Sequence, residues 1–270
     1  MPKTTVDTWM AQDFTFSAGS IRKQSVALFL LRLPALLPLI FILRAVITLN
    51  NPTLDGTEAD VLGTGGELCL LLALLVTPMI TITRQRWLTP LRRWYGIMFA
   101  VTAIADATIA SIATAFAGGV FGRLAGHSFL LAGLVMVVIA LPLLATANSP
   151  AQRWLGRYWK PLQRMTYVIW GMLIVHLALL EGFGFQSPGD GDPIFHQKLY
   201  QIVECSIPLF VLRLPPVRRW ISTQQKADRQ WLVYVAVLPL AVLFLLGFTF
   251  MVNEEIFKGT LAFTLHPPSD

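Results

Sequence analysis

The chain has 270 residues, of which 55% are apolar and 13% charged, and a net charge of +6. That composition excludes an ordinary soluble domain. The positive charge does not point to nucleic acid either, because the Lys and Arg residues are spread between apolar blocks instead of clustering on one soluble face. Blocks of about 20 residues read as transmembrane helices, since a rise of ~1.5 Å per residue takes that many to cross ~30 Å of hydrocarbon.

In chain order, residues 1–25 form a polar tail with Lys3, Arg22 and Lys23. The first span is expected over Val26–Leu49, kinked by Pro34 and Pro38, with Arg32 and Arg44 snorkelling toward its ends. An acidic loop, Asn50–Gly63, leads to a second span over Thr64–Thr83. Arg84, Arg86, Arg92 and Arg93 precede the third, Trp94–Ala117, which carries Asp106. A Gly-rich connection (GGVFG, then Arg123) leads to the fourth, His127–Ala147. The basic stretch Arg153, Arg157, Lys160 and Arg164 runs into the fifth, Trp159–Glu181, which carries His176. The turn-rich GFQSPGDGDP separates it from the sixth, Lys198–Leu214, which stops at Pro215-Pro216. Arg213, Arg218, Arg219, Lys226 and Arg229 precede the seventh, Trp231–Val252.

The N-terminal tail and the connections after spans two, four and six hold 16 Lys and Arg residues, against three in the other connections and the C-terminal tail. The positive-inside bias then gives an all-α polytopic membrane helix bundle of seven transmembrane helices in a bacterial inner membrane, N-terminus cytoplasmic and C-terminus periplasmic. The first apolar block is too long and too charged for a cleaved signal. Tryptophans at the span ends, among them Trp87, Trp94, Trp154, Trp159, Trp220 and Trp231, read as an interfacial belt. Cys69 and Cys205 both lie inside apolar blocks and read as small core residues.

Three stretches carry a family resemblance. TGGELCLLLALLVTP (Thr64 to Pro78), LTPLRRWYGIMFAVTAIAD (Leu88 to Asp106) and RYWKPLQRMTYVIWGMLIVHLALL (Arg157 to Leu180) resemble the second, third and fifth spans of ferric-reductase-like transmembrane proteins. The nearest sub-type is the membrane haem subunit of the periplasmic methionine-sulfoxide reductase system (MsrQ type). The resemblance implies a six-helix core over residues 26–214, with residues 215–252 adding a cytoplasmic loop and a seventh helix, and 253–270 a periplasmic tail. It also implies b-type haem held between histidines of spans three and five, with electrons passing from cytoplasmic flavin or quinone to a periplasmic partner.

At the positions this resemblance assigns to the cofactor, the chain has Asp106, Ala113 and Gln163, and keeps only His176. Six-coordinate haem needs two strong axial ligands on facing helices, and neither glutamine nor alanine supplies one. The first expectation is therefore no cofactor, with haem b or a chlorophyll-type pigment held through His176 alone as the alternative. A lone ionisable group deep in a span is a functional candidate by default. Asp106 and His176 are expected either to bond each other or to bond separate carbonyls and hydroxyls, with Thr102, Thr108 and Thr166 available; a proton relay between them is a further reading.

Of the remaining candidates, His127, His196 and His266 show no metal-site spacing. Glu67 and Glu204 are expected to reach the outer interface. The belt of Arg84, Arg86, Arg92, Arg93, Arg153, Arg157 and Arg164 reads first as a topology signal facing anionic lipid. GGVFG and GDGDP follow no strand and read as turns, not phosphate loops. The function these residues imply is an accessory or scaffold subunit, not an enzyme, in the lipid bilayer beside a larger integral membrane redox complex, respiratory or photosynthetic. A haem electron-transfer subunit and a single-histidine pigment subunit are the rivals.

Overall fold

The computed structural model describes residues 18–36, 39, 57–116, 128–181 and 193–265. Among them there is no strand. The helices are α1 (Ala18–Arg32), α2 (Thr57–Thr83), α3 (Thr89–Phe116), α4 (Ser128–Ala145), α5 (Ser149–Leu155), α6 (Trp159–Glu181), α7 (Pro193–Val211), α8 (Pro215–Lys226) and α9 (Gln230–Leu265). Three stretches of the described residues are long and apolar enough to cross a membrane: Leu62–Thr83, Pro150–Leu179 and Gln230–Thr249. Phe129–Ala145 and Leu199–Val211 are apolar but shorter.

Several boundaries follow from local chemistry. α1 gives way to a 3-10 turn at Leu33–Leu36, where Pro34 can neither donate a backbone bond nor fit the preceding turn. The rest of the first expected span, with Pro38 and Arg44, lies outside the described residues. α2 begins at Thr57, so the end of the expected acidic loop is helical instead. Asn148 caps α5 by accepting from the Ala151 N–H at 2.7 Å. α6 coincides with the expected fifth span residue for residue.

Two elements depart from the sequence reading. α8 occupies what reads as a plain basic loop; Pro215-Pro216 open it, and its one buried side chain, Ile221, packs with Ile82, Leu212 and Val233. α9 runs for 36 residues to Leu265, through most of the stretch expected to be a tail.

The helices pack chiefly in sequential pairs: α2 with α3, α4 with α6, and α7 with α9. α4 also packs on α3, α6 on α7, and both α7 and α9 return to α2, which closes the arrangement. Among the described residues, α3 and α6 do not pack substantially on one another. The main core draws on α2, α3, α6 and α7, with the wholly enclosed Trp170 and Leu71 among its members. Cys69 and Cys205 are buried and free, as core residues should be.

In each sequential pair a glycine of one helix faces a side chain of the other. A side chain built on Gly66 of α2 would meet Thr102 Oγ1 of α3 at 3.0 Å. One on Gly133 of α4 would meet the His176 ring of α6 at 3.5 Å, and one on Gly247 of α9 would meet Cys205 Sγ of α7 at 2.8 Å. Small residues let helix backbones approach, which matters most where lipid gives no hydrophobic drive between helices.

Candidate functional site

His176 sits on the packed face of α6. Ile169, Leu173 and Leu177 recur there at helical spacing and are all buried. Its ring lies against α4, where Nδ1 is 2.7 Å from the backbone carbonyl oxygen of Phe129, and the Phe129 ring meets the imidazole edge-on at 5.9 Å. A carbonyl only accepts, so Nδ1 carries the proton and Nε2 keeps its lone pair in the neutral ring. Gly133 stands one turn beyond Phe129, and its missing side chain lets the imidazole lie close along α4. Because Phe129 is in the first turn of α4, His176 stands toward the end of the helix pair, not at its middle.

His176 bonds the α4 backbone. Asp106, half-buried on α3, is not without a partner. The threonines offered as partners bond carbonyls of their own helices: Thr102 to Met98 and Phe99, Thr108 to Ile104, and Thr166 to Gln163. Gln163 is partly buried on α6, and Ala113 belongs to the last turns of α3. Glu67 is 9% exposed and so is buried in the helix packing, contrary to the interfacial placement expected for it. His127 and His266 lie outside the described residues.

Set against haem, these residues do not fit bis-imidazole ligation. At the positions the resemblance assigns to haem, Asp106, Ala113 and Gln163 supply no second imidazole beside His176, and no group of three His, Cys, Asp or Glu gathers to hold a metal ion among the described residues. A one-imidazole site has the required donor in Nε2, with Nδ1 oriented by a backbone carbonyl as metal-binding imidazoles usually are.

A second cluster, at the basic end of the bundle, is not apparent from the sequence. Pro78 lies inside α2 and has no N–H, so the Leu74 carbonyl one turn back loses its helical donor. Arg213, just past the end of α7, fills the gap: its Nη2 donates to Leu74 O. The guanidinium stacks over the Tyr167 ring of α6 at 5.4 Å, and Tyr167 in turn leans on Phe210. Arg213 therefore joins α2, α6 and α7. The signal was present as a proline in one span and an arginine at the end of another, but nothing in the sequence pairs them.

The same end is closed by further side chains bonding helix-terminal carbonyls. Gln225 of α8 donates to the Thr81 and Ile82 carbonyls at 3.0 and 3.1 Å, capping α2. Trp94 Nε1 donates to the Arg32 carbonyl at 3.3 Å, and the Tyr95 hydroxyl donates to that of Leu31, capping α1. Of the expected arginine belt, Arg92 is partly buried; Arg84, Arg86, Arg93, Arg153, Arg157 and Arg164 are exposed.

No family model and no solved structure matches this chain. A stretch of 114 residues, 41% of the chain, is 32% identical to part of the magnetosome protein MamZ of Paramagnetospirillum magneticum AMB-1. The chain spans 18% of the length of that curated relative.

Proposed function

We propose that this chain is a seven-span inner-membrane protein with a ferric-reductase-like six-helix core and an added C-terminal helix, and that it acts as a non-catalytic accessory subunit of a larger membrane redox assembly. The observation that carries this reading is the lack of a second imidazole to pair with His176 at the positions the resemblance assigns to haem. The one histidine kept there is bonded to the neighbouring helix backbone, and Asp106 and Gln163 stand where further imidazoles would be needed. The basic end of the bundle is the cytoplasmic one, by the positive-inside bias.

The test is to isolate the tagged, full-length protein from its native membranes in mild detergent. Co-migration at fixed stoichiometry with a redox-active membrane complex supports the proposal. A protein that migrates alone, or that reduces an acceptor by itself, overturns it.

One observation favours a second reading. The Nδ1 bond to Phe129 leaves Nε2 of His176 as a donor atom of the kind that holds haem b or a chlorophyll-type pigment. A pigment or haem subunit would bind one such group there, oriented by the Phe129 carbonyl.

A further inference from the structure

The side chain of Arg213 is over-supplied with donors. Nη2 is taken by the Leu74 carbonyl, but Nε and Nη1 are both buried and find no acceptor among the described residues. A guanidinium is always charged and carries five N–H donors, so leaving the three on Nε and Nη1 dry is costly. Its electrostatic neighbours are Tyr167, Arg92 and Arg218, with no carboxylate among them. Three like charges gathered without a counter-charge repel one another, and an anion relieves that.

Each arginine comes from a different element, and Arg92 and Arg218 are both near enough to act electrostatically on Arg213. Arg92 is in the first turn of α3 and is partly buried; Arg218 is exposed on α8; Arg213 lies inward of them, between α2, α6 and α7. α8 has the make-up of a surface-lying helix. Ile221 is tucked inward, Arg218 and Arg219 are exposed, and Trp220 is 39% exposed beside them. Trp and Arg side by side at the end of apolar helices mark the level of lipid headgroups.

We propose that Arg92, Arg213 and Arg218 form a binding site for the phosphate of an anionic lipid headgroup, held at the basic end of the bundle between α3, α7 and α8. Guanidinium groups bind phosphate through charge-assisted bonds, and the N–H groups on Nε and Nη1 of Arg213 find no acceptor among the described residues. The assignment is independent of the redox reading.

The experiment uses the full-length protein in nanodiscs of pure phosphatidylcholine, or of phosphatidylcholine with a minor fraction of phosphatidylglycerol. Thermal unfolding and lipid retained after detergent extraction are both measured. Arg92→Gln and Arg218→Gln are the variants, because they spare the Arg213 contact with Leu74 and so should still fold. The expected result is a higher unfolding temperature with phosphatidylglycerol, one phosphatidylglycerol retained per chain, and a loss of affinity of about tenfold in each variant. Equal stability and equal retention in the two lipid mixtures would overturn the site. So would variants that keep the anionic lipid as wild type does. Inorganic phosphate added to the phosphatidylcholine nanodiscs separates the sources: stabilisation by it in place of the lipid would overturn the headgroup assignment.

Discussion

At the basic end of the bundle, Arg213 reaches the Leu74 carbonyl, which Pro78 has deprived of its helical donor. On the α4–α6 pair, His176 reaches the Phe129 carbonyl, and on the α7–α9 pair the Cys205 thiol points at the Phe244 carbonyl at 3.7 Å. Both of these acceptors sit in regular helix, where the residue four positions on still has an N–H. The geometry is alike, a polar side chain laid on a neighbouring backbone, but the need differs. Arg213 repairs a defect in α2; His176 and Cys205 add a bond where the helix is already complete. A conspicuous residue type is therefore a poor guide to what a position must do, and the state of the carbonyl it meets is a better one.

Substitutions can separate these cases, beginning with the most damaging. Arg213→Met should lower stability by about 3 kcal/mol, because it strands a buried carbonyl and removes a charged donor. In a Pro78→Ala background, which restores the missing N–H, the same substitution should cost clearly less, and a thermal or denaturant double-mutant cycle in detergent reads the coupling directly. Additive effects in that cycle would mean that Arg213 does not answer the proline.

His176→Ala should cost about 2 kcal/mol, from the lost bond and the lost packing against Gly133 and Phe129. A smaller effect awaits the other helix pair. Gly247→Ala sets a methyl 2.8 Å from Cys205 Sγ, inside contact distance, and the overpacking should cost about 1–2 kcal/mol. Adding Cys205→Ala should restore most of that loss; a double variant no better than the single one would show that the clash lies elsewhere. Gly133→Ala is the gentlest change. Its methyl meets the imidazole at an ordinary 3.5 Å, and alanine favours a helix over glycine by up to ~1 kcal/mol, so stability should hold or rise slightly. A marked loss there would mean that α4 and α6 approach more closely than the structure has them.

Much of the fold is legible in the sequence because apolar length decides it. Trp159–Glu181 is bounded by its basic collar and its terminal Glu181, and the helix follows those marks. α8 is harder to see. Its PPVRRWISTQQK is too polar for a span, and only the inward turn of Ile221, set by contacts with Ile82 and Val233, makes it a packed helix. The site is less legible still. His176 stands out as a lone ionisable group, but its partner is a backbone carbonyl 47 residues earlier, and main-chain acceptors leave no trace in residue identity. The pairing of Pro78 with Arg213 is hidden for the same reason, since it depends on how α2 and α7 are rotated and staggered.

The accessory-subunit account depends on the bundle holding its helices together without an iron-porphyrin. The most direct measurement is the absorbance spectrum of the purified full-length protein, oxidised and then reduced with dithionite, for wild type and His176→Ala. The account predicts no Soret band in either form of either protein. A Soret band at one haem per chain in wild type, lost in His176→Ala while the protein stays folded, would contradict it.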